Sequence, residues 1–217
     1  QLIAHGFSRV DVWGRGVDTE LFSPDKRDQA LHDSWAPHGE VVVGFMGRLA
    51  PEKQVKDLRA LSDLPGVRLV IIGDGPQRAE LEADLPGAVF VGMKSGEELA
   101  RCLASLDLFV HPGESETFCQ AIQEAHASGL AAIAPRRGGP IDLIDPSHNG
   151  WLYPPGDLSA MRNQVADLVG DGFKRTIFGQ TARKRVENRT WPRVCDQLLD
   201  YYCAAIDLGV RSPAKTG

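Results

Sequence analysis

Residues 41–53 read Val41-Val42-Val43-Gly44-Phe45-Met46-Gly47-Arg48-Leu49-Ala50-Pro51-Glu52-Lys53, and this stretch decides the fold. Its first six residues are apolar with no polar alternation, the mark of a strand buried on both faces. Pro51 then stands where a first helical turn tolerates proline, which predicts a helix over 51–61. The same unit recurs downstream. Apolar runs at 67–72, 88–91, 108–111 and 130–134 predict four more buried strands. Helical patterns at 76–83, 97–105 and 118–128 separate them. Unalternated strands in a β-α-β-α order make a parallel sheet with helices on both faces. Trp151-Leu152-Tyr153 predicts a further edge strand. The fold class is α/β, a Rossmann-like doubly wound domain.

The flanks read differently from this body, which spans 41–190. Residues 1–40 carry Gly14-Arg15-Gly16-Val17-Asp18 and then a polar stretch, and form a linker segment rather than a second domain. Helices are expected at 157–169, 173–187 and 192–208, with Thr190 as N-cap of the last and Pro192 in its first turn. Residues 191–217 are that final helix and a tail that frays from 212 onward.

Composition narrows the function. Hydrophobic residues are 42% and charged residues 24% of 217, as in ordinary globular proteins, which excludes a disordered chain, a collagen and a coiled coil. Lys plus Arg is 24 and Asp plus Glu 29, a formal charge of −5. Nucleic acid and anionic membranes demand a dense basic surface, so any anion bound here needs a local site. The apolar runs are far below the ~20 residues of a membrane helix, and no signal-peptide pattern opens the chain. Cys102, Cys119, Cys195 and Cys203 form no C-x-x-C and no zinc-type cluster with the six histidines. Scattered thiols of this kind fit a reducing cytoplasm, and Cys119 reads as a packing residue rather than a nucleophile.

Ligands of open α/β sheets bind beyond the carboxyl ends of the strands. Arg48 and Lys53 flank a helix start, where cations oppose the dipole. They make sense if an anion such as a diphosphate sits between them. The competing reading pairs Arg48 with a carboxylate and leaves Lys53 solvated. After the fourth strand comes His111-Pro112-Gly113-Glu114-Ser115-Glu116-Thr117-Phe118-Cys119-Gln120-Ala121-Ile122-Gln123-Glu124-Ala125. Thr117 and Gln120 have capping-box spacing, which predicts a helix from Phe118. Phe118, Ala121, Ile122 and Ala125 form its buried stripe, and Thr117, Gln120 and Glu124 a polar one. Glu116 and Glu124 then lie up to ~12 Å apart, room to bracket a diphosphate. Alternatively both are ordinary solvated acids. His111 and His126 read as packing residues. No H-x-x-x-H, H-E-x-x-H or Asp-x-Asp is present, so no metal is expected. Gly73-Asp74-Gly75 lacks the last glycine of a dinucleotide fingerprint, with Arg78 in its place, and reads as a structural turn. Arg136-Arg137 reads as a solvated pair, a phosphate role staying open. Trp191 and the helix through Tyr201-Tyr202 are expected to pack on the body or on a neighbouring domain.

Taken together, Arg-x4-Lys after the first strand, Glu-x7-Glu after the fourth and Gly138-Gly139-Pro140 after the fifth resemble the carboxyl-terminal domain of retaining GT-B glycosyltransferases of the group 1 family. Gly73-Asp74-Gly75-Pro76, Asn149-Gly150-Trp151-Leu152-Tyr153-Pro154 and Arg15-Gly16-Val17-Asp18 with Phe22-Ser23-Pro24 match its turns, so the likeness covers residues 14–170 in order. The segment 111–124 looks most like GDP-mannose-dependent α-mannosyltransferases that build bacterial glycolipids and lipoglycans.

The resemblance implies that 41–190 binds a nucleotide sugar and that the last helix crosses back to a partner domain. It implies a donor site of Gly47, Arg48, Lys53, Met93, Lys94, Glu116, Thr117, Phe118, Cys119, Gln120 and Glu124. Arg48 and Lys53 would hold the diphosphate and stabilise the leaving group, and Glu116 would lie near the transferred sugar, these three being the catalytic residues. Glu124 would take the ribose hydroxyls, the N–H groups of Phe118 and Cys119 the phosphate or sugar, and Met93 and Lys94 the base. It further implies retention without a stable covalent intermediate, no cofactor, no metal and no nucleic-acid partner. A glycolipid acceptor would be held by an amino-terminal domain outside this chain. The location would be cytoplasmic, peripheral at the inner membrane face through the full-length enzyme. The chain alone, an excised donor-binding half, would be inactive or nearly so. Rival readings are a nucleotide-sugar epimerase, a phosphorylase using pyridoxal phosphate, and a non-catalytic nucleotide-binding module.

Overall fold

The apolar runs become the strands β1 (Val41–Met46), β2 (Val67–Ile72), β3 (Val89–Gly92), β4 (Leu108–Val110), β5 (Ala132–Pro135) and β6 (Gly150–Tyr153) in the computed structural model, which describes residues 2–7 and 10–210. The expected frayed tail at 212–217 lies outside the described residues. All six strands pair in parallel in the order β3-β2-β1-β4-β5-β6. Successive side chains alternate across the sheet, so Val42, Val70 and Phe109 enter one core layer while Val43, Ile71 and Leu108 enter the other. Burial on both faces is why these strands carry no polar alternation.

The helices are α1 (Gln29–Trp35), α2 (Arg78–Asp84), α3 (Gly96–Ala104), α4 (Gln120–Ala127), α5 (Pro140–Leu143), α6 (Leu158–Gly170), α7 (Gly172–Val186) and α8 (Trp191–Val210). Asp157 and Asp171 cap α6 and α7 by accepting the N–H groups of Ala160 (2.8 Å) and Lys174 (2.9 Å). The helix α8 starts directly after Thr190 with Pro192 in its first turn, as expected. Ahead of the sheet, Val17, Phe22, Trp35 and Ala36 are buried in the first core layer. Trp13 Nε1 donates to Val194 O at 2.9 Å and Val17 N to Arg189 O at 2.8 Å, so residues 13–17 run along the start of α8. Among the described residues no helix is long and apolar enough to cross a membrane.

Two local expectations are corrected. The α-helix predicted over 51–61 is two 3-10 segments, Pro51–Lys53 and Val55–Leu61, broken at Gln54 with φ of 50°. Val55, Leu58 and Leu61 are the buried residues of the second segment, and their three-residue spacing matches the 3-10 period rather than 3.6. Gln54 is also pinned, its Oε1 accepting the N–H of Glu114 at 2.7 Å. The helix predicted from Phe118 starts instead at Gln120, with Cys119 at the N-cap in the left-handed region (φ 67°) and no side-chain cap. Thr117 forms no capping bond, because the chain from Glu116 to Cys119 follows the surface of residues 138–139 before the helix can begin.

The strand order reverses between β1 and β4. Connections from those strands leave to opposite faces, which opens a crevice at their carboxyl ends.

Candidate functional site

The crevice is built by the loops after β1 and β4, and glycine lets them touch. A Cβ at Gly113 would stand 3.3 Å from Lys53 Cα and 3.3 Å from Glu52 O. This approach brings the Lys53 ammonium onto the Glu116 carboxylate, to which it donates. His111, stacked on Phe45 with ring centroids 5.7 Å apart, places Nε2 3.0 Å from Glu116 Oε1. Burial alone would raise the Glu116 pKa, but the contacts with His111 and Lys53 more than offset it and hold the acid down at about 2. Glu116 is therefore ionised at neutral pH. Beneath it, Gly139 N donates to Glu116 O at 2.8 Å. A Cβ at Gly138 would fall 2.1 Å from Glu116 O and one at Gly139 2.4 Å from the Phe118 backbone. The Gly138-Gly139-Pro140 motif is thus the seat of the Glu116 loop.

Two adjoining depressions occupy the crevice. The smaller, about 330 Å³, is the more polar of the two and is lined by Arg15, Lys53, His111, Glu116, Thr117, Phe118 and Cys119. The larger, about 810 Å³, runs between residues 73–76, Met93, Lys94, Leu99 and Glu124. Met46, Gly47, Arg48, Gln120 and Ala121 line both, so the two are continuous. Every residue that the sequence singled out for the donor site lines one or both. Burial lifts the Glu124 carboxyl to about 7, against a smaller downward pull from Gln120. Met93 is an exposed apolar rim at 75% accessibility, while Lys94 pairs with Glu98 at 3.5 Å.

The partners differ in part from expectation. Lys53 is not solvated but committed to Glu116. Arg48 is exposed, and its guanidinium meets no described residue. His111 does more than pack, since it shares Glu116 with Lys53. His126, by contrast, is wholly buried; burial, then Arg185 and Arg189, hold its pKa down to about 3. Arg137 pairs with Glu114 at 2.9 Å rather than being free. Gln120 faces the site but its Nε2 donates to Gly16 O at 3.1 Å.

Sequence reasoning missed Arg15 and Gln123. Gln123 is completely buried and its Nε2 donates to Arg15 O at 2.9 Å, which ties the linker segment to α4 beside the site. The sequence carried no clear signal for either residue, since Gln123 stands one helical turn from Gln120 and His126 and reads as part of a polar face.

His111, Glu116 and Cys119 have potential ligand atoms all within 4.8 Å of one another. Burial and the neighbouring Glu116 charge push the Cys119 thiol up to about 12, and Lys53 is paired with the Glu116 carboxylate.

A parallel sheet with its switch point between β1 and β4, and an ionised glutamate beside cationic side chains in the crevice, defines a Rossmann-like doubly wound domain with a charged crevice at its switch point. The family profile of "Glycosyl transferases group 1" matches residues 27–185. The chain is 50% identical over 202 residues to a GDP-mannose-dependent alpha-mannosyltransferase of Mycobacterium tuberculosis, covering 93% of this chain and 53% of that protein. It is 47% identical over 214 residues to a protein of the same name from Corynebacterium glutamicum, covering 98% and 52%. Among solved structures, Anabaena HepE in complex with UDP-glucose superposes with a TM-score of 0.77 at 25% identity, over 87% of this chain and 56% of that one. The chain belongs to the group 1 glycosyltransferases, with the Rossmann-like architecture of GT-B enzymes. It spans about half the length of the curated relatives it matches.

Proposed function

We propose that this chain is the donor-binding half of a retaining glycosyltransferase that uses GDP-mannose and passes mannose to a glycolipid or lipoglycan acceptor. One observation carries the reading: the polar depression around Glu116 and the larger cleft around Met93 and Glu124 are continuous through Gly47, Arg48 and Gln120. A nucleotide sugar is divided in the same way, with a flat base at one end, a polar sugar at the other and a diphosphate between. The base then lies against residues 73–76, Met93 and Lys94, the ribose hydroxyls meet Glu124, and the sugar meets Glu116. The names of the curated relatives favour guanine and mannose.

In this reading the bond from the anomeric carbon to the diphosphate breaks and negative charge develops on the departing diphosphate. Arg48, the backbone N–H groups of Thr117, Phe118 and Cys119, and Lys53 stabilise that charge as preorganised dipoles and cations. An ammonium has three donors, so Lys53 keeps some for phosphate while Glu116 holds one. Glu116, ionised, serves as an acceptor for sugar hydroxyls and as a counter-charge to the positive sugar ring. It is not a proton donor. Retention proceeds without a covalent intermediate, and the cationic side chains do the work that a metal does elsewhere. The acceptor and its membrane belong to the other half of the enzyme, working at the cytoplasmic face. The rival epimerase reading has one observation in its favour, the His111–Glu116 pair at 3.0 Å; an altered sugar recovered after incubation with nucleotide sugar would identify it.

Calorimetric titration with GDP, GDP-mannose and UDP-sugars tests the proposal. Binding of the guanine ligands, undiminished by a chelator, is expected. No binding of any nucleotide at millimolar concentration overturns the reading, and robust mannosyl transfer by this chain alone overturns the half-enzyme part of it.

A further inference from the structure

The charge account of the diphosphate site does not close on the residues assigned so far. A nucleotide-sugar diphosphate carries two negative charges. Glu116 already neutralises Lys53, which leaves Arg48 as a single uncompensated cation. The small depression holds one more, Arg15, exposed and with a guanidinium that meets no described residue. Its side chain bonds to no described residue, but its backbone is held. Gln123 Nε2 donates to Arg15 O at 2.9 Å, Gln120 Nε2 to Gly16 O at 3.1 Å, and Val17 N to Arg189 O at 2.8 Å. Gly16 is pressed so closely on α8 that a Cβ there would stand 2.6 Å from the Trp191 backbone. A fully buried amide such as Gln123 is costly unless its bonds form, so these contacts fix where Arg15 leaves the surface. Thr117 and Phe118 line the same depression, and their backbone N–H groups donate to no described residue.

We infer that Arg15 is a binding residue for the donor diphosphate, and that Gln123 and Gln120 are its positioning residues. The inference rests on the nucleotide-sugar reading above. Because Arg15 lines the polar depression and not the base cleft, its target is the phosphate nearer the sugar. A planar guanidinium spans two phosphate oxygens where an ammonium makes a point contact.

The test is calorimetric titration of this chain with GDP and GMP, with UDP and UMP in parallel, for the parent, Arg15→Ala, Arg15→Lys, Gln123→Leu and the double variant. Arg15→Ala is expected to lose roughly tenfold or more in affinity for the diphosphate, the usual size for a charged hydrogen bond. Its monophosphate affinity and melting temperature stay unchanged, and Arg15→Lys recovers part of the loss. Gln123→Leu loses a similar factor, and the double variant loses no more than either single one. Equal affinity of parent and Arg15→Ala for the diphosphate overturns the inference. So does an equal loss for diphosphate and monophosphate, the result a merely structural linker would give, and additive losses overturn the positioning role of Gln123. A parent chain that binds none of the four nucleotides defeats the nucleotide-sugar reading itself, an outcome distinct from a parent that binds and an Arg15→Ala variant that binds equally well.

Discussion

Glu124 makes the donor reading measurable through pH. Burial lifts its carboxyl from an ordinary 4.5 to about 7, yet accepting two ribose hydroxyls requires the carboxylate. Binding must therefore expel a proton wherever the free site is protonated. With the free acid at about 7, roughly one site in eleven is ionised at about pH 6 and ten in eleven at about pH 8, so affinity rises about tenfold, or about 1.4 kcal/mol, across that window. GDP-mannose is the ligand to use, because its diphosphate diester does not change charge there, whereas the terminal phosphate of GDP does. Calorimetry in two buffers of different ionisation enthalpy counts the proton released directly. Glu124→Gln should flatten the profile, and Glu124→Ala should cost about 1–3 kcal/mol of affinity at the alkaline end. The same shift bears on stability. An acid whose folded pKa lies above its unfolded value withdraws stability as pH rises from about 4.5 through about 7, so Glu124→Gln should gain on the parent above neutrality. A parent chain whose GDP-mannose affinity does not change over the window, or a Glu124→Ala variant that binds as before, would refute the ribose role.

Three further outcomes follow from particular contacts. Lys53→Ala leaves Glu116 with His111 alone, and after discounting for partial exposure should cost about 1–2 kcal/mol in urea unfolding at neutral pH. The part of that stability owed to Glu116 is present above about 4.5 and disappears from the parent as pH falls through about 2, so the two chains should converge in acid. Cys119 holds a left-handed backbone that costs a non-glycine residue about 1–2 kcal/mol; Cys119→Gly should be neutral or stabilising in thermal unfolding and Cys119→Val clearly destabilising. Gly139→Ala would drive a Cβ to 2.4 Å from the Phe118 backbone, so it should lower the melting temperature and also abolish GDP-mannose binding by displacing the loop that carries Glu116.

The strands were legible because burial on both faces writes itself into sequence as unbroken apolar runs. The parallel pairing followed from the helices between them. Misreadings came where tertiary contacts overrode local pattern. Thr117 and Gln120 have the spacing of a capping box, but the loop is seated on Gly138 and Gly139, more than twenty positions away, and that seat sets the helix start. Residues 51–61 have a helical look, but Gln54 is held by the backbone of Glu114 across the crevice.

The sequence by itself determined the class of the molecule, because patterns of burial and glycine-rich turns are local statements, and its resemblance to the group 1 family marked which residues should meet at the carboxyl ends of the strands. Only the tertiary structure decided how charge is shared there. That Lys53 belongs to Glu116, that Arg48 pairs with no described residue, and that Arg15 is brought in from the linker by two glutamines of α4 depend on distances between segments that lie up to 108 residues apart. Electrostatic partnership falls steeply with distance and solvent exposure, and neither can be read from spacing along the chain.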